Sequence, residues 1–203
     1  MKVRDFTKIQ QTLLSSLPHF KVKGPLMFVT PVEHILKGLY FEGSDTDTRS
    51  FYVWAFLLPL YVPTKILSFN LGMRLRGKQG ERWDANSPNL LRELDRVIVN
   101  VALPFLDSVK SPADLAGAVE VLHTSHDPYV GQAVAYSFLL MGDFDRGLRC
   151  LSVLCNSLDC RIPWHREIAE AIRSLANNVT KDQQGTQQQL LRFEAESIHE
   201  LGL

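Results

Sequence analysis

Residues 50–76, SFYVWAFLLPLYVPTKILSFNLGMRLR, constrain the fold of this chain more than any other stretch. Phe51 to Leu58 is apolar at odd and even positions alike. That is the pattern of a strand covered on both faces and flanked by strands on both sides. After a turn bounded by Pro59 and Pro63, the chain alternates strictly. Leu67, Phe69, Leu71, Met73 and Leu75 fall on one side, and Ser68, Asn70, Gly72, Arg74 and Arg76 on the other, because strand side chains have a period of two. The two segments predict neighbouring strands, 51–61 and 67–76, in a sheet with one covered face and one wet, basic face.

The surrounding pattern completes an α+β reading. Residues 3–16 predict a helix, with Phe6, Ile9, Leu13 and Leu14 on one face and Pro18 beyond its end. Gly24-Pro25 predicts a turn before a short strand at 26–29. A further strand is expected at 34–42, followed by a polar hairpin loop from Gly43 to Ser50. Short connections imply antiparallel pairing, so an antiparallel sheet of three to four strands is expected after the N-terminal helix. Ser87-Pro88 reads as an N-cap and first position of a helix whose apolar face is Leu90, Leu91, Leu94, Val97, Ile98 and Val101, kinked or ended at Pro104. Everything beyond reads as helical. Helices are expected from Ser111-Pro112 to about His123, from Asp127-Pro128 to Met141, from Asp143 to about Leu158, and from Pro163 to about Val179. A polar loop at 181–189 then leads into a last helix ending near Leu201. The chain therefore divides into a helix-and-sheet subdomain, 1–86, and a helical subdomain, 87–203. The apolar stripe at 88–103 wants the sheet, so a shared core is expected.

Bulk composition excludes several classes. With 203 residues, 45% hydrophobic and 22% charged, the chain can bury a real core and is not disordered. A net charge of +0 argues against a general nucleic-acid binder. The balance hides an asymmetry: residues 1–110 hold 15 Lys and Arg against 10 Asp and Glu, while residues 111–203 hold 7 against 12. Three cysteines, Cys150, Cys155 and Cys160, do not make a secreted disulfide framework. The opening MKVRDFTKIQQ is charged where a signal peptide would be apolar, and the Phe51–Val62 run is shorter than the ~20 residues of a membrane span. These features imply a cytoplasmic protein without a membrane partner.

Two resemblances add to this reading. Ala133, Ala135, Tyr136, Leu139, Gly142, Asp143, Phe144 and Leu148 make the 129–154 segment similar to one tetratricopeptide-type helical hairpin, in which small residues let two helices approach closely. A single unit is short of a solenoid. The 35–42 strand, the FYVWAFLLPLYVP run and Gly72–Arg74 resemble a group of bacterial proteins of unknown function. Those proteins share a helix, an antiparallel sheet and a helical C-terminal half, and some are proposed as immunity proteins against polymorphic toxins. The resemblance covers the first half of the chain. It implies a fold and a protein partner, and no catalytic residues.

His123 and His126, with Asp127 beside them, share a helix face that can hold a metal, but no Glu stands between them as in HExxH, and Asp127 before Pro128 reads as a cap. Ser125-His126-Asp127 is no triad, since triads assemble in space. The cysteines are five apart, too far for paired zinc ligands, and Cys150 and Cys155 point different ways on a helix. Gly72 to Gly80 is glycine-rich and basic, but Gln79 follows Lys78 where a phosphate loop has Ser or Thr. Glu33, Glu42, Asp45 and Asp47 flank the 34–42 strand without an evident facing pair, and the two aspartates suit turn chemistry. The basic cluster of Arg74, Arg76, Lys78 and Arg82, with Trp83 beside it, is the expected partner-binding surface, since Arg and Trp concentrate at interfaces and Arg pairs bidentately with carboxylates. The expected function is a non-enzymatic protein-binding module of immunity type that occludes a partner with an acidic surface. No cofactor or metal is expected. The alternatives are a hydrolase-like enzyme built from scattered His, Asp and Arg, and a helical scaffold or adaptor using the tetratricopeptide-like hairpin.

Overall fold

A computed structural model describes residues 3–121 and 127–203. The architecture is α+β: an N-terminal helix, an antiparallel sheet, and a helical C-terminal half. The chain forms two compact units, each discontinuous in sequence. One comprises residues 1–58 and 71–108, and the other residues 59–70 and 109–203.

The first unit is built on the sheet. Helix α1 (Val3–Leu14) precedes strands β1 (Phe20–Lys23), β2 (Leu26–Val29), β3 (Ile35–Gly43), β4 (Ser50–Pro59), β5 (Gly72–Arg74) and β6 (Trp83–Asp84). The order is β1-β2-β3-β4-β5, and β6 also pairs with β4. The sheet is thus larger than the three to four strands expected. FKVK at β1 and the two-residue β6 are too short and too polar to stand out by period. Gly24, at φ +55°, turns β1 into β2, a left-handed position that glycine takes without strain. Strand β4 is central, as its double-sided apolar run predicts, with β3 on one edge and β5 and β6 on the other. One sheet face is core: the rings of Phe6, Phe41 and Phe51 lie 5.7–6.2 Å apart. On the other face, Tyr52 and Trp54 of β4 are only half-buried.

The predicted 67–76 strand is a correction. Only Gly72–Arg74 pairs as a strand, opposite Phe56, Ala55 and Trp54. The Leu57 N–H donating to the Leu71 carbonyl (2.9 Å) and the Leu75 N–H donating to the Val53 carbonyl (2.8 Å) flank it. Residues 59–70 belong to the second unit, where other partners claim them. Tyr61 is fully buried there and shares a 2.5 Å hydrogen bond with the Ser137 hydroxyl. Ser137 spends its proton on the Ala133 carbonyl (2.7 Å), so the phenol is the donor. The Thr64 N–H donates to the Ser197 hydroxyl at 3.2 Å. Alternation over 67–71 is real in sequence, but these contacts hold the chain off the sheet.

Helix α2 (Leu90–Val97) runs through a π-helical turn (Ile98–Ala102) into α3 (Leu103–Asp107). It starts three residues after the predicted Ser87 cap. Asn89 stands at the N-cap without a side-chain bond. The π turn rephases the apolar stripe. Leu94 and Ile98 are buried as predicted, but Ala102 and Leu106 then take the core positions and Val101 is exposed. One extra residue in a turn moves every later position by one, and a π turn also leaves slack for Pro104, which has no N–H to donate.

The second unit packs α4 (Pro112–Val121), α5 (Pro128–Leu140), α6 (Phe144–Ser157), α7 (Pro163–Lys181) and α8 (Gln183–Leu201). The predicted caps are in place: the Asp127 carboxylate accepts the Tyr129 N–H (2.9 Å) and Asp143 accepts the Arg146 N–H (3.2 Å). Gly142, at φ +83°, ends the α5 turn. Close approach of α5 and α6 rests on Gly147, where a Cβ would collide with the Leu139 side chain. The polar loop expected at 181–189 is absent. Asp182 alone separates α7 from α8, accepting the Gly185 N–H at 2.8 Å, and the glutamines continue as helix. Glutamine is a good helix former, so a polar run is no breaker by itself. Among the described residues, no helix is long and apolar enough to cross a membrane.

Candidate functional site

The residues singled out from sequence fall into four environments of the first unit. Arg74 is half-buried on the polar face of the sheet. Its guanidinium lies 4.3 Å from the Tyr52 ring centroid and 4.7 Å from that of Trp54, and it donates to Glu42 at 3.2 Å. Trp54 Nε1 donates to the same Glu42 oxygen at 2.9 Å. The basic face expected at this position is therefore a half-buried, charge-paired cluster of one cation, one carboxylate and two rings. Arg76 is exposed and pairs with Glu81 at 3.0 Å. Among the described residues, neither arginine has an ion-pair partner in 111–203. Trp83 is 5% exposed, with its Nε1–H donating to the Leu75 carbonyl at 3.2 Å, so its ring is core and not displayed.

Lys78 and Arg82 lie elsewhere, on a basic cleft. Gly77 and Gly80 close a tight turn by exchanging two N–H to carbonyl bonds, of 2.8 and 3.2 Å. Gly80, at φ +107°, needs to be glycine. Gly77 has no room for a Cβ, which would meet Glu93 Oε1 at 2.8 Å and the Trp83 ring at 3.0 Å. Glu93, in the first turn of α2, accepts the Lys78 backbone N–H and ties the turn to the helix. Between them lies an open cleft of about 690 Å³ lined by Lys78, Gln79, Ser87, Asn89, Arg92, Glu93 and Arg96. A smaller adjoining hollow, which shares Gln79, Ser87 and Glu93, adds Arg82.

The electrostatics of the cleft are lopsided. Among the described residues, none of Lys78, Arg82, Arg92 and Arg96 has an ion-pair partner. Two carboxylates line the cleft and its adjoining hollow, and each accepts a backbone N–H: Glu93 that of Lys78, and Asp84 that of Asn86 at 2.9 Å. Asp95, on the same helix, accepts from the Ser16 hydroxyl at 2.8 Å and is held toward the end of α1. Arg92 and Arg96 are one turn apart, a spacing at which like charges repel by a few tenths of a kcal/mol. The sequence does carry a signal for these two: arginines at i and i+4 opposite the apolar stripe of α2. What it does not carry is that the 77–80 turn folds back beside them.

Asp47 accepts the Arg49 N–H (2.9 Å) and the Ser50 hydroxyl (2.8 Å), the turn role expected of it. Cys150 packs against Ala116, Val134 and Phe138, whereas Cys155 lies beside Arg173, so the two thiols face different ways. Cys160 is exposed, and all three cysteines are free thiols. His123 to His126 lie outside the described residues. No protein-family model, curated protein or solved structure matches the chain.

Proposed function

We propose that the protein is a non-enzymatic, cytoplasmic protein-binding module that seats an acidic segment of a partner protein in the basic cleft beside α2. The observation that carries this is a cluster of four cations, without ion-pair partners among the described residues, around an open cleft and its adjoining hollow. Uncompensated cations cost stability within the chain, and an acidic partner offsets that cost on binding. Distributed arginines on an open cleft suit carboxylates along a polypeptide, since each guanidinium pairs bidentately with a carboxylate. The mechanism is occlusion, as the likeness to proposed immunity proteins implies: electrostatic steering brings the partner, and the seated module blocks its surface.

The test is a fluorescence-anisotropy titration with a labelled Glu- and Asp-rich nonapeptide, against a Ser/Gln nonapeptide of equal length. The acidic probe is expected to bind, to weaken severalfold between about 50 and 200 mM salt because exposed charges are screened, and to lose at least tenfold in Arg92→Glu/Arg96→Glu. Equal binding to the reversed variant, or to the neutral peptide, sinks the proposal.

A further inference from the structure

The second unit carries a hollow with the opposite character. It measures about 360 Å³ and lies between α5, α7 and α8. Its α7 wall is one helical face, Trp164, Glu167, Ile168, Ala171 and Leu175, and α8 adds Phe193. Tyr129, at the start of α5, stacks on Trp164 with the rings 1° from parallel and centroids 5.8 Å apart. Both rings are exposed at the mouth, 49% and 42%, where large aromatics are costly to leave in water. The inner end is polar: Gln132 and Tyr136 are 6% and 2% exposed, and the amide bonds the phenol. Glu167 is the only charged residue in the lining and has no ion-pair partner among the described residues. It stands beyond the first turn of α7, so the helix dipole does not account for it.

We infer that this hollow is a binding site for an aliphatic cation, a guanidinium or alkylammonium group on an apolar stem. The cation lies against the Tyr129 and Trp164 rings, whose faces are electron-rich, and pairs with Glu167. The stem runs inward along Ile168, Leu175 and Phe193, and Gln132 offers a polar contact at the inner end. A 360 Å³ volume fits a group of this size and lies within the range of small-ligand pockets. The same chemistry arrives either as a free diamine or agmatine-like molecule, or as an Arg or Lys side chain on a peptide.

Isothermal titration of the full chain separates the sources. The probes are agmatine, the neutral isostere pentylurea, and a capped Ala-Leu-Arg-Leu-Ala pentapeptide with its Arg→citrulline twin. Saturable binding of agmatine points to a free ligand, and binding of the Arg peptide alone points to a side chain. In either case the neutral twin is expected to bind at least tenfold more weakly, and Glu167→Gln to erase that preference. Trp164→Leu, a replacement at an exposed position, is expected to weaken the cation by about three- to thirtyfold, the scale of a desolvated cation–ring contact. No saturable binding of either cation by about 10 mM, weaker than the millimolar scale of small ligands, overturns the inference. So does a neutral twin that binds equally well, or Glu167→Gln without effect. The acidic nonapeptide and the α2 arginines take no part in this assay, so the two sites fail or succeed independently.

Discussion

The side-chain amide of Gln10 is fully buried on α1, and among the described residues neither its Oε1 nor its Nε2 has a hydrogen-bond partner. An orphaned buried amide costs about 1–3 kcal/mol relative to an apolar group of the same shape. Gln10→Leu is therefore expected to raise the unfolding free energy by about 1 kcal/mol or more in urea denaturation; a loss of stability contradicts the orphaned amide. Period alone puts Phe6, Ile9, Leu13 and Leu14 on this face, but a polar residue in the stripe is invisible to a count of apolar ones. Arg74 and Arg76 show the converse. They alternate with the same neighbours in sequence, yet Arg74 lies over two rings while Arg76 has a side chain 75% exposed. Arg74→Glu places a carboxylate beside Glu42 and removes both ring contacts, for an expected loss of about 1–2 kcal/mol. Arg76→Glu is expected to stay within about 0.5 kcal/mol. For a chain of this size the first corresponds to a drop of about 2–8 °C in Tm and the second to no more than about 2 °C, which thermal melts resolve. Equal shifts for the two variants contradict the ring-stacked placement of Arg74.

Elements follow their local pattern where short-range partners are enough. The α5 and α6 caps, Asp127 and Asp143, bond N–H groups two and three residues away, so their types and spacing are sufficient. The α2–α3 segment departs from its pattern because the π turn inserts a residue into the stripe. An unbroken α-helix buries residues at positions 101 and 105; the rephased one buries Ala102 and Leu106. Leu106→Ala is accordingly expected to cost about 2–5 kcal/mol, as for buried leucines elsewhere. Val101→Ser, on the exposed side, is expected to cost less than about 1 kcal/mol. Chemical denaturation of the pair checks the phase, and the reverse ranking rules the π turn out. The 67–76 segment departs for a different reason. Its alternation is sound, but strand pairing competes with burial of Tyr61 and the Thr64 bond in the other unit.

At the scale of the molecule, the charge asymmetry survives the division into units: the first holds 13 Lys and Arg against 10 Asp and Glu, and the second 9 against 12. Both units pin their turns with ionised aspartates. The Arg49 N–H lowers the Asp47 pKa, the Lys110 N–H lowers that of Asp114, and the Arg161 guanidinium lowers that of Asp159. In each case the unfolded chain takes up its proton first as acid is added. The resulting stability is fully present above the ordinary aspartate pKa of about 3.9 and is lost as pH falls through the lower folded values. Stability is expected to decline below about pH 4, and Asp47→Asn, Asp114→Asn and Asp159→Asn together to flatten that decline in acid titrations followed by circular dichroism. An unchanged acid limb assigns the decline to other carboxylates. The amino-acid sequence by itself determined the α+β class, the central place of β4, the helical C-terminal half and most helix starts, because period and caps act within about four residues. Tertiary structure alone decided that Tyr61 meets Ser137, that Arg74 meets Glu42 and two rings, that Trp83 is core, and that Lys78 shares a cleft with Arg92 and Arg96. Each of those outcomes depends on partners brought together from separate elements. Their energies, from burial, ring stacking and unpaired charge, arise only once the chain has closed the loop between them.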